Sequence, residues 1–168
     1  MSNSIHGERS RTIEIFTDGA CSGNPGPAGI GVVISRNGQV IKRISKFIGE
    51  ATNNLAEYTA LIYALQEALV LKASEIKVST DSELLYHQIK GRYKIKNEKL
   101  KNLFDQVQHL SQGFKRIDFE RIPREKNQEA DRLATQAVRK IQKKQATMVP
   151  TSRLNKVNVG SRDPDFRF

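Results

Sequence analysis

Cysteine is nearly missing. Cys21 is the single one in 168 residues, so the chain can close no internal disulfide and offers no CxxC pair to zinc. No uninterrupted apolar run approaches the roughly 20 residues that a membrane-spanning helix requires. The first dozen residues are polar and lack the apolar stretch of a secretory leader. These absences set the expectation of a cytoplasmic protein with no membrane partner, and a monomer is expected. The length suits one domain of ordinary size.

What the chain does have is positive charge. Lys and Arg number 28 against 18 Asp and Glu, a net +10. From Arg139 to Phe168 eight basic residues face two acidic ones, so this stretch carries +6 and residues 1–138 carry +4. A basic balance is the footprint of a polyanionic partner such as nucleic acid. Solubility alone gives many domains the same sign.

Residues 1–11 read as a disordered lead-in, 12–145 as the folded domain, and 146–168 as a basic, disordered tail in which the hydrophobic pattern stops. Thr12–Thr17 is short and rich in β-formers; a Gly/Pro-rich loop, GACSGNPGPAG, occupies 19–29. Ile30–Ser35 is a second apolar strand, Asn37-Gly38 marks a hairpin turn, and Val40–Ile48 returns. Leu55, Tyr58, Ile62, Leu65 and Leu69 recur at helical spacing, which predicts a helix over 54–71. A strand at 75–80, helices at about 82–89 and 98–111, a strand at 115–122 and a helix at 127–143 complete the chain. The order β-β-β-α-β-α-α-β-α implies an α/β domain: a mixed five-stranded sheet, an antiparallel three-stranded meander plus parallel strands, with helices on both faces.

Four acids fall where a core would not want them. Asp18 ends the first strand, and Asp-Gly is also ordinary turn chemistry. Glu57 shares a stripe with Leu61, Ala64 and Ala68 that should lie against the sheet, where an ionised carboxylate is costly unless paired or metal-bound. Its competing reading is a first-turn Glu favoured by the helix dipole. Asp81 follows the apolar strand IKVST, at the end where open α/β sheets bind ligands, and equally suits an N-cap. Asp131 lies in the first turn of the last helix, where dipole compensation is the plain alternative. The predicted topology can gather all four at one sheet edge. Two carboxylates ~4 Å apart repel by about 4 kcal/mol at an effective dielectric near 20, so such a cluster needs protons or cations. All-oxygen ligation favours Mg²⁺ or Mn²⁺ over zinc.

The blocks TDGACSGNPGPAG (17–29), TNNLAEYTAL (52–61), STDSELL (79–85) and NQEADRLA (127–134) stand in this order and on the right elements. Together they resemble the four signature blocks of type 1 ribonuclease H, over about residues 12–140. The resemblance implies a ribonuclease H-like fold and an endoribonuclease that hydrolyses the RNA strand of RNA–DNA hybrids. Two divalent metals, Mg²⁺ or Mn²⁺, would be held with substrate by Asp18, Glu57, Asp81 and Asp131. It further implies that Asn24, Thr52 and Asn53 form a DNA-phosphate pocket. Asn54 and the glycine loop near Cys21 and Gly23 would read ribose 2′-hydroxyls and RNA base edges. Telling RNA from DNA requires such contact.

The chain departs from the family pattern in three places. The loop before the last acidic helix, IPREKNQ (122–128), lacks the histidine many members carry, and His6, His87 and His109 lie elsewhere. Glu125 is the candidate substitute. Glu83 replaces a common glutamine two residues after the third acid. Between Asp81 and Asp131 the extra basic helix of many relatives is missing, and Lys90, Arg92, Lys94, Lys96, Lys99 and Lys101 form a basic stretch instead. That form leaves some cleavage of double-stranded RNA open. Two other classes stay in view: a non-catalytic RNA- or hybrid-binding protein of this fold, and an actin-like phosphotransferase fragment, which would need a second domain to enclose ATP.

Overall fold

The computed structural model describes residues 12–148. The lead-in at 1–11 and all but the first three residues of the predicted tail lie outside that range.

Strands β1 (Thr12–Cys21), β2 (Gly26–Arg36) and β3 (Gln39–Ala51) form the antiparallel meander. Strands β4 (Glu75–Thr80) and β5 (Arg116–Arg121) add in parallel on the other side of β1, giving the order β3-β2-β1-β4-β5. The mixed five-stranded sheet read from the sequence is therefore present, with β1 central. Helix α1 (Asn53–Val70) and helix α3 (Glu98–Ser111) cover one face. Ile13, Ile15, Val32 and Ile34 from the sheet meet Leu61, Leu65 and Ala68 there. Helix α4 (Gln128–Thr147) covers the opposite face, with Ala130 and Leu133 packed on Val33 and Phe16. Helix α2 (Glu83–Ile89) bridges β4 to the 90–97 connection, and Tyr58 of α1 donates to Gln88 of α2 at 2.8 Å. No helix of the described residues is long and apolar enough to cross a membrane.

Several boundaries differ from the sequence reading, and β3 runs on to Ala51 instead of ending at Ile48. The predicted loop at 19–29 is mostly strand: Asp18 pairs with Gly31 and Cys21 with Ala28, leaving only 22–25 as the link. Glycine there serves close packing more than turning. A Cβ on Gly19 would meet the Glu57 amide nitrogen of α1 at 2.5 Å, and one on Gly31 would fall onto the Ala130 carbonyl of α4. The two glycines let helices close on the sheet from opposite faces. Helix α4 also runs four residues beyond the predicted end, because Gln, Lys and Ala are good helix formers. Arg139, Lys140, Lys143 and Lys144, half of the basic residues counted in the C-terminal stretch, are thus on a helix.

Candidate active site

Parallel pairing sets two of the acids side by side. Thr17 of β1 is in register with Thr80, the last residue of β4, so Asp18 and Asp81 each follow directly on that pair. Thr52 caps α1, its Oγ1 accepting from the Leu55 amide at 3.3 Å. Helix α1, admitted close to the sheet by Gly19, brings Glu57 to the same point. Its first turn holds no acidic residue, so the reading of Glu57 as a first-turn dipole partner is corrected. One carboxylate oxygen from each of Asp18, Glu57 and Asp81 lies within 4.8 Å of the others. Asp18 and Glu57 are buried, at 5% and 4% exposure.

Burial this deep, with like charges alongside, resists ionisation. Desolvation first, and Asp81 second, push the Asp18 carboxyl up to about 7. Glu57 is raised well above its ordinary value, again by burial first and by Asp18 second. Among the described residues no Lys or Arg forms an ion pair with any of the three. Glu57 Oε2 is buried with no hydrogen-bond partner. A donor set of oxygens only, one of them orphaned, fits a hard divalent cation.

Asp131 borders the same cleft of about 370 Å³ but stands apart from the three, its Oδ1 accepting from Arg124 Nη2 at 3.2 Å. Cys21 and Asn53 line this cleft too. The Asn53 amide donates to Asn24 Oδ1 at 3.0 Å, tying the 22–25 link to the start of α1. Cys21 Sγ lies 3.0 Å from the Ala51 carbonyl and also contacts that of Gly23. Gly23, at φ +95°, and Asn54 are exposed, and neither lines this cleft.

Sequence reasoning missed two participants. Asn127 is 1% exposed and occupies the N-cap position of α4, yet its side chain makes no cap bond. Its Nδ2 donates instead to the Thr17 carbonyl and to Asp81 Oδ1, both at 2.9 Å. Ser82 supplies the cap of α2 by accepting from the Leu85 amide at 3.3 Å, which leaves Asp81 free. The N-cap reading of Asp81 is thereby corrected. The second is Arg124, on a 3-10 turn (Arg124–Lys126): it borders the cleft, whereas the suggested Glu125 on the same turn does not. An Asn opening an acidic helix was the available signal for Asn127; nothing in the sequence ranked Arg124 over its neighbours. Glu83 is engaged by Arg121 at 3.1 Å.

A mixed sheet led by a meander, with acids clustered where its central parallel strands end, defines a ribonuclease H-like domain. The family model described as "Reverse transcriptase-like" matches residues 16–137. The chain is 35% identical over 135 residues to Ribonuclease HI of Halobacterium salinarum, covering 80% of this chain and 68% of that protein. It is 44% identical over 128 residues to the Bifunctional protein Rv2228c of Mycobacterium tuberculosis, spanning 75% of this chain but 35% of that longer protein. The solved N-terminal RNase H domain of Rv2228c superposes with a TM-score of 0.73 at 43% identity, over 76% of this chain and 98% of that one. LC11-RNase H1, solved in complex with an RNA/DNA hybrid, gives 0.73 at 44% identity over 77% and 99%. The chain belongs to the type 1 ribonuclease H family.

Proposed function

We propose that this domain is a metal-dependent endoribonuclease that hydrolyses the RNA strand of RNA–DNA hybrids. The observation that carries the reading is the carboxylate triad: Asp18, Glu57 and Asp81 come from three separate elements and converge within 4.8 Å. Mg²⁺ or Mn²⁺ would be held by these three, with Asp131 at the cleft edge completing the set. Two such ions, bound with substrate, would supply an activated water and neutralise charge at the departing 3′ oxygen.

The chain's own residues place the substrate. Asp18, fixed in the central strand beside Glu57 and Asp81, would hold the ions together with them. With Asn24 Oδ1 engaged by the Asn53 amide, the Asn24 Nδ2 hydrogens remain to meet a DNA phosphate at the start of α1, beside Thr52 and Asn53. Cys21, Gly23 and Asn54 would read ribose 2′-hydroxyls of the other strand. Lys90, Arg92, Lys94 and Lys96 are available to a phosphate backbone on the connection after α2. Double-stranded RNA, which also presents 2′-hydroxyls in a wide minor groove, is a second substrate within this proposal. A monomer in the cytoplasm belongs to it as well; light scattering with and without hybrid tests the first point.

The deciding experiment is cleavage of an end-labelled hybrid with Mg²⁺ or Mn²⁺, run beside Asp18→Asn. Cutting of the RNA strand alone is expected. The variant should lose more than the roughly 10–100-fold typical of removing a partner that merely supports a metal ligand. If the wild-type protein binds hybrid and leaves it whole in both metals, the chain is a binding module of this fold.

A further inference from the structure

The acidic cleft continues into a second groove that the catalytic reading does not use. This groove, about 210 Å³, runs between the end of β1 and the outer face of α4, and shares Ala20, Cys21 and Thr135 with the cleft. Asp131, Thr135, Arg139 and Gln142 succeed one another along α4 at steps of four, four and three, so they line one face of the helix. Along this wall the chemistry changes sign. Asp131 stands at the cleft; eight residues on, about 12 Å at helical rise, Arg139 offers a guanidinium that enters no ion pair among the described residues. Beyond it Gln142 Nε2 donates to Ser22 Oγ at 2.9 Å, joining the helix to the 22–25 link.

An exposed arginine beside two neutral hydrogen-bonding side chains is a phosphate-binding arrangement, because the planar guanidinium meets phosphate oxygens in pairs. A strand whose scissile linkage lies in the acidic cleft would reach this groove within a few nucleotides. Asn24 and Asn53, the proposed contacts to the DNA strand, do not line this groove. We propose that Arg139, with Ser22 and Gln142, forms a subsite for a backbone phosphate of the cleaved RNA strand. This rests on the hybrid-cleavage reading above.

The test uses the full chain carrying Asp18→Asn, titrated with labelled hybrid by anisotropy at graded salt. Adding Arg139→Ala should raise Kd about five- to tenfold at low salt and reduce the slope of log K against log salt by about one, the signature of one lost phosphate contact. Arg139→Lys should restore the slope and only part of the affinity. In the otherwise wild-type enzyme, Arg139→Ala should raise KM and leave kcat unchanged. Shortening the RNA strand stepwise from each end, with the DNA strand kept long, should abolish the effect of Arg139→Ala on one side. An unchanged Kd and slope overturns the subsite. An effect that survives RNA shortening and vanishes on shortening the DNA strand overturns the strand assignment. A wild-type protein that neither cuts nor binds hybrid instead removes the substrate reading itself, before any variant is compared.

Discussion

Asn127 holds Asp81. Its Nδ2 lies 2.9 Å from the Asp81 carboxylate and 2.9 Å from the Thr17 carbonyl one residue before Asp18, so one buried amide ties Asp81 to the strand that carries Asp18. Replacing it with Ala removes both bonds and leaves Asp81 unanchored. The expected cost is about 1–3 kcal/mol in denaturant unfolding. Hydrolysis should fall about 10–100-fold in kcat with KM little changed, because the substrate contacts are elsewhere. A loss confined to KM would contradict a positioning role.

The acidic cluster should make the metal-free fold sensitive to pH. Asp18, near 7 in the folded protein against an ordinary 3.8, keeps a proton that the unfolded chain has released. Its contribution to stability is complete below about pH 4 and drains away as pH rises through 7. The loss is roughly 2–4 kcal/mol by pH 8. Asp18→Asn removes this slope, so its Tm in chelator should exceed wild type at pH 8 and approach it at pH 4. Millimolar Mg²⁺ or Mn²⁺ should raise the wild-type Tm at pH 8 and have little effect on the variant. Parallel Tm curves for the two proteins across this range would dismiss the shared cluster.

Gly19 and Gly31 set how closely α1 and α4 approach the sheet. A methyl group at Gly31 meets the Ala130 backbone and one at Gly19 meets that of Ala56 and Glu57, so no flexible side chain can yield. Each Gly→Ala change should cost about 1–3 kcal/mol or more. Gly19→Ala should also depress kcat beyond its stability effect, since it moves the backbone that carries Glu57. Activity that tracks folded fraction alone would refute that coupling.

Arg124 and Asp131 form an exposed pair at 3.2 Å, with the Arg124 side chain 77% accessible. Exposed pairs contribute at most about 1 kcal/mol, so Arg124→Ala should leave the unfolding midpoint nearly unchanged. The arginine is the basic side chain bordering the acidic cleft, and its loss should weaken hybrid binding several-fold, visible in KM. A large drop in Tm would show the pair to be structural instead.

Much of the fold was legible in the chain itself. Helix α1 announced itself through its apolar spacing, and Glu57 stood out because Leu61, Ala64 and Ala68 shared its stripe; all four are buried. The meander was readable from strand composition and the Asn37-Gly38 turn. Extension of β1 and β2 into 18–21 and 26–29 was not, because glycine lowers strand propensity and only contact with two helices explains its use there. Asn127 was hidden for a similar reason: local rules make it a helix cap, while its actual partners lie 46 and 110 residues away.

Sequence alone decided the alternation of elements and which carboxylates were out of place, since periodicity and charge are properties of neighbours along the chain. Tertiary structure decided that Asp18, Glu57 and Asp81 converge while Asp131 turns to Arg124, and that Asn127 anchors instead of capping. Those outcomes depend on strand register and on how near a helix can come to a sheet, and neither quantity exists until distant segments meet.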